Sequence, residues 1–310
     1  MRIALVACIV SVALGAALGE ALAGAMPQSA GAHGGSQPAP IAYTRVVSAA
    51  LSTDEVALAL APGPSLIALS TFADDAAVSN VTDAARGVRG RVTANTEALL
   101  ALRPGAILAD PFTQLGLDRT AEALGITLVR TRYPTRLDDI PENIRMVGRA
   151  LGREPEAEAL ALGFVAKLDA IAHNEKPASP PRVLLYGRGF TSGAGTLSDD
   201  VLARAGGRNV AAEHGVTGIT PVSLETVAAW DPDVLVLTDY RADGRRVEVS
   251  PLPDSADHPA WRSLRAVREG RVVRLPPRLL LSTSHHLAEG VDALRLALLR
   301  MPSAADGGAR

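Results

Sequence analysis

The side chains able to do chemistry are few in this 310-residue chain, and most lie just beyond short apolar runs. Phe72, Phe112, Tyr186, Phe190 and Tyr240 each follow such a run, with Tyr133 close behind. Rings placed there are rigid and would cover the faces of a large flat ligand, although the same rings could equally pack beneath loops. Arg188 and Arg278 offer guanidinium forks to carboxylate or phosphate groups, or to solvent. His285 and His286 follow Ser282-Thr283-Ser284 at the start of the last helical stretch. Neighbours on a helix point about 100° apart, so the two imidazoles cannot share a metal ion without an irregular turn. One of them could still act as an axial ligand or a hydrogen-bond donor. His214 and His258 have no metal-ligand spacing around them.

The stretch from Gly187 to Gly195 (GRGFTSGAG) invites a nucleotide reading. Its third glycine falls one place late for the dinucleotide fingerprint and no Gly-Lys-Ser/Thr follows, so it reads as a mobile loop. Neither HExxH nor a Gly-x-Ser-x-Gly elbow occurs. An exported metal-dependent hydrolase, using His285 or His286 with Asp239, is the rival to a binding function; the scattered histidines speak against it. A net charge of −2 gives no reason to expect nucleic acid or an anionic membrane as partner.

The elements that must position these residues begin after an export signal. Arg2, the apolar run Ile3–Leu18 and Ala21-Leu22-Ala23 fit a cleaved signal peptide over residues 1–25. The run is too short to span a bilayer comfortably. Cys8, the single cysteine, lies too early in it to serve as a lipoprotein cleavage site, so the mature chain has no thiol. Residues 26–42 read as a disordered lead-in and 302–310 as a tail. Between them strands and helices alternate. Strands are expected at Arg45–Ser48, Leu66–Leu69, Ala106–Ala109 and Thr127–Thr131, and helices at Thr53–Ala61, Thr96–Leu102, Thr113–Leu124 and Asp138–Leu151. A helical pattern at Glu154–His173 joins this first lobe (43–152), through residues 153–176, to a second one (177–301). That lobe is expected to hold strands Arg182–Tyr186, Val234–Leu237 and Arg271–Leu275, with helices Asp199–Ala205, Ser223–Ala229 and Leu287–Leu299.

Several segments carry a resemblance. Arg45-Val46-Val47-Ser48 followed by Ser52-Thr53-Asp54-Glu55, then Asn95-Thr96-Glu97 through Leu102-Arg103-Pro104, are similar to the opening strand, the first helix and an "L-x-P-D" helix end of one family. Ser223-Leu224-Glu225 and Asp231-Pro232-Asp233 repeat the logic, and Phe190–Gly193 looks like a loop of its cobalamin-binding members. The chain thus resembles, over residues 43–300, the cobalamin, siderophore and heme binding proteins that feed ABC importers. Gly105 departs from the family's usual Asp.

The resemblance implies two Rossmann-like α/β lobes joined by one long helix, with the ligand in the cleft between them and no enzymatic activity. It implies a monomer in the periplasm with no intrinsic cofactor, carrying a metal chelate to a permease dimer. Glu97 and Glu225 would engage arginines of that permease, one from each lobe. Ser52, Phe72, Phe112, Tyr186, Arg188, Phe190, Tyr240, His285 and His286 would face the chelate. The loop Ser70–Asp75 lacks the tyrosine usual in heme-binding members, which leaves cobalamin or a ferric siderophore, cobalamin ahead. Mass spectrometry of the exported protein should find an N-terminus just after Ala23 or Ala25 and no lipid; a diacylglycerol on Cys8 would refute the reading of the leader.

Overall fold

Short apolar runs become the central strands of two sheets in this computed structural model, which describes residues 43–60, 63–92, 96–113, 116–187, 189–238 and 259–301. The first sheet is β1 (Val46–Ser48), β2 (Leu66–Ser70), β3 (Gly90–Val92), β4 (Ala106–Ala109) and β5 (Thr127–Arg130), all parallel, in the order β3-β2-β1-β4-β5. Every residue of β1 and β4 is buried, as in strands covered on both faces, which is why they read as unbroken apolar runs. The covering helices are α1 (Leu51–Ala59), α2 (Thr82–Ala85), α3 (Thr96–Ala101), α4 (Gly116–Ala123) and α5 (Ile140–Leu151).

Gly152, at φ 63°, ends α5, and α6 (Glu154–His173) follows at once. The two helices pack closely because Gly148 has no side chain to meet Ala157. One stripe of α6 is buried, Ala157, Ala161, Phe164, Leu168 and Ile171, at the three- and four-residue spacing of a single helix face.

The second sheet contains β6 (Arg182–Gly187), β7 (Phe190–Ser192), β8 (Arg208–Asn209), β9 (Ile219–Pro221), β10 (Val234–Thr238) and β11 (Val272–Leu275). Its order is β11-β10-β6-β7-β9, with β8 beside β6. The helices are α7 (Leu197–Arg204), α8 (Val210–Glu213), α9 (Leu224–Trp230), α10 (Pro259–Ser263), α11 (Arg265–Arg268), α12 (Pro277–Leu280) and α13 (Leu287–Leu299). The sheet is mixed, since β7 runs antiparallel to both β6 and β9. One expectation needs correction: the Gly-rich stretch is a hairpin, with Tyr186 opposite Thr191 and Gly187 opposite Phe190. Gly189 takes φ 81° in its turn, and a Cβ on Gly193 would strike the carbonyl of Val216. Those glycines serve backbone geometry.

Half of each sheet repeats. The set β1, α3, β4, β5 corresponds to β6, α9, β10, β11, parallel throughout. Both helices end on a left-handed residue followed by proline: Arg103 (φ 47°) before Pro104, and Asp231 (φ 43°) before Pro232. Among the described residues these are the two non-glycine positions with positive φ. Such a backbone costs roughly 1–2 kcal/mol, and an arginine offsets it each time. Arg45 donates to the carbonyls of Arg103 (3.1 Å) and Leu102 (2.6 Å), and Arg182 donates to those of Asp231 and Trp230 (2.9 Å each). The Gly105 amide then bonds to the Arg45 carbonyl as the Asp233 amide bonds to that of Arg182.

The repeat is broken at one side chain. The Asp233 carboxylate also accepts from the Arg182 amide (2.8 Å) and from Arg265 (2.7 Å); Gly105 has nothing to offer the Arg45 amide. A Cβ at Gly105 would sit in ordinary contact, 3.6 Å from Tyr43 and 3.7 Å from the Arg45 carbonyl. Gly105→Asp should therefore raise Tm by about 1–4 °C, through lower unfolded-state entropy and a restored strand-start bond. Calorimetry showing a lower Tm would refute the equivalence of the two turns.

Candidate functional site

Parallel strands aim their carboxyl ends the same way, so the loops after β1, β2, β4 and β5 form one rim of the first lobe. At its floor is a recess lined by Ser52 and Val56 of α1, Thr131 just after β5, Ile140, Asn143, Ile144 and Val147 of α5, and Thr283 from the chain's far end. About 230 Å³ of space lies within it, part of it open to solvent. The Ser52 hydroxyl is enclosed there and makes no hydrogen bond. Asn143 is held in place by Arg132, whose amide and carbonyl it bonds at 2.9 and 2.8 Å. The recess is apolar with four hydroxyl or amide groups, a composition suited to orienting an organic ligand.

Beneath the recess α1 carries two wholly buried acids that the sequence reading did not single out. Asp54 accepts from the Ser70 amide (3.1 and 3.2 Å) and the Ser70 hydroxyl (2.5 Å). Burial pushes its carboxyl from 3.8 up to about 7, against the pull of its bonds to Ser48 and Ser70 and with a further push from Glu55. Glu55 accepts from Asn80 and from Ser282 and Ser284. Two adjacent acids directly before the apolar run Val56–Ala61 were the available signal.

The expected ligand-facing residues do not all gather in one place. Phe112 and Tyr133, 36% and 37% exposed, meet edge to face at 5.3 Å beyond β4 and β5. Phe72 is half-buried in the short helical turn after β2, and Phe190 is half-buried at the hairpin. Tyr186 is only 4% exposed and packs with Leu184, Val222, Val227, Leu235 and Trp261. It is a core residue of the second lobe, because it falls on the buried face of β6. Truncating it would cost about 3–5 kcal/mol of stability. Burial, and secondarily the charge of Glu225, raise its phenol pKa. Arg188, Asp239 and Tyr240 lie outside the described residues, as do the leader, the lead-in and the tail.

The histidines differ from expectation in one respect. They form the turn before α13, with His286 as its N-cap, and their rings come within 4.1 Å. Both Nδ1 atoms are enclosed without a hydrogen-bond partner. Burial, then the neighbouring His286 and Lys167, depress His285 to about 3, so its imidazole is neutral. Among the described residues no group of three or more His, Cys, Asp or Glu could hold a metal ion. Arg278 faces the first lobe, its Nη1 atom 3.3 Å from Asn80 Oδ1.

Glu97 and Glu225 stand in the first turns of α3 and α9, the two helices of the repeat, each nine residues before its following strand. Both are exposed. Ser223 caps α9 by accepting from the Thr226 amide at 3.2 Å. The lobes thus present one carboxylate each at equivalent points.

The family described as "Periplasmic binding protein" matches residues 46–279, three quarters of the chain. The chain belongs to that family. Its members are solute-binding components of transport systems, not enzymes, and the hydrolase reading has no support. A cobalamin-binding protein of Halobacterium salinarum is 30% identical over 183 residues, 58% of this chain and 49% of that one. The chain therefore aligns with about half the length of that relative. A vitamin B12-binding protein of Yersinia pestis is 29% identical over 248 residues, covering 78% of this chain and 84% of its own. The periplasmic heme-binding protein RhuT from Roseiflexus sp. RS-1, in its apo form, superposes with a TM-score of 0.70 at 26% identity, over 82% of this chain and 97% of that one. No described helix is long and apolar enough to cross a membrane.

Asp54 makes the binding protein's stability depend on pH. Its folded-state pKa is raised, so its contribution is full below about pH 4 and is lost as pH rises through about 7. Asp54→Asn should flatten the melting temperature's fall between pH 4 and 7, and a profile parallel to the parent's would refute this.

Proposed function

We propose that this protein captures a corrinoid in the crevice between its lobes and delivers it to the permease of an ABC importer. The observation that carries the reading is the likeness to a vitamin B12-binding protein across 78% of the chain. The geometry agrees with it. The recess at Ser52, Thr131, Asn143 and Thr283 is too small for a whole corrinoid, so it suits one polar edge of a larger ligand whose body lies above it. Phe112 and Tyr133 supply exposed ring surface beyond β4 and β5. A heme is the second reading, favoured by the likeness to RhuT. Against it, the turn after β2 carries Phe72 and no tyrosine.

Export by a cleaved leader and action as a monomer complete the proposal. Docking falls to Glu97 and Glu225. A carboxylate in a helix's first turn is favoured by the helix dipole and presents two oxygens to an arginine fork. One such contact per lobe sets orientation on a partner with two like halves, and complementarity of this kind governs encounter and register more than affinity.

Calorimetric and absorbance titrations with cobalamin, heme and a siderophore panel test the ligand. Tight binding of cobalamin alone is the expected outcome, and binding of heme alone would select the second reading. Glu97→Ala and Glu225→Ala should leave ligand affinity and Tm unchanged. Each should cut uptake by the cognate permease up to about fivefold, and the pair more than about tenfold, with part of the loss following ionic strength. Full transport by the double variant would refute the docking role.

A further inference from the structure

The chain after β11 does not stay with its own lobe. Residues 276–286 cross to the first lobe before α13 returns to the second. Arg278 donates its amide to the Ala77 carbonyl (3.2 Å), and its own carbonyl accepts from Asn80 Nδ2 (2.9 Å). Four residues on, Ser282 and Ser284 both donate to Glu55 Oε2, at 2.7 and 2.6 Å. The other oxygen of the same carboxyl accepts from the Asn80 amide (3.0 Å) and Nδ2 (2.9 Å). Glu55 and Ser284 are wholly buried and Ser282 nearly so. On its other side the crossing segment lies against α13 at Gly290, where any Cβ would strike the Leu279 carbonyl.

We propose that residues 276–286 are a strap, a second joint between the lobes beside α6, and that the Glu55 carboxyl is its buckle. Four donors from two lobes converge on one group shielded from water, where losing a partner leaves the rest unsatisfied. Releasing the buckle frees the strap and lets the lobes part further than α6 alone would dictate. A second polar link between the lobes is slighter: the Leu137 amide donates to Asp200 (2.8 Å), and Arg204 stands 3.9 Å from Asp138. The inference concerns the ligand-free protein and stands whatever solute the cleft takes.

Hydrogen exchange of the ligand-free protein tests it, with Ser282→Ala/Ser284→Ala as the releasing variant. Amides of 278–286 and of 77–81 should exchange about ten- to a hundredfold faster together, while β1, β4, β6 and β10 keep their protection. Spin labels at the exposed positions Ala84→Cys and Ala203→Cys, with Cys8→Ser, should then report a broader, longer inter-lobe distance than in the parent. Glu55→Gln is the milder second variant. Its amide can still bond both hydroxyls, so exchange in the strap should stay within about threefold of the parent. Unchanged exchange and distance in the serine variant would overturn the proposal. So would a uniform loss of protection in both lobes, or failure of that variant to fold, since the serines would then be core residues of the whole molecule. Strap exchange in Glu55→Gln faster than in the serine variant would overturn it as well.

Discussion

A helix that carries the chain back between two parallel strands has to stop abruptly, because the next strand begins a few residues later in another layer. Both lobes meet this requirement with the same device: a left-handed residue, a proline, and an arginine at the start of the neighbouring strand or just before it, bonded to the last carbonyls. Much else follows from those two turns. They keep β4 beside β1 and β10 beside β6 in parallel register, which sends the carboxyl ends of the central strands to one side. They also fix where α3 and α9 begin, and hence where Glu97 and Glu225 stand.

The halves of the sheets outside this repeat are not alike. In the first lobe β2 and β3 continue the parallel order, whereas in the second β7 and β9 fold back as antiparallel strands. The shared half carries α3 and α9, and the differing half carries Phe72 on one side and Phe190 on the other.

Much of this was legible in the sequence. β4, α6 and α13 coincide with their expected bounds, because each is apolar at its own period and ends at glycine, proline or a change of pattern. β3, β7 and β9 were missed, being three residues each and too short to show alternation. The site was harder to see. Ser52 and Thr283 line one recess though most of the chain separates them, and no local spacing links them. Tyr186 was misjudged for the opposite reason: it ends a strand, as a cleft residue would, yet its position in the alternation of β6 turns it into the core. The acids of α1 went unremarked because a carboxyl inside a packed core announces itself only through its partners.

The connecting helix is also a lever. Its 20 residues make a rod about 30 Å long, so a tilt of about 10° at one end carries the other through roughly 5 Å. That travel is comparable to the spacing of neighbouring strands. A slight angular strain at the rod's ends therefore becomes a displacement of several ångströms between the lobes it joins.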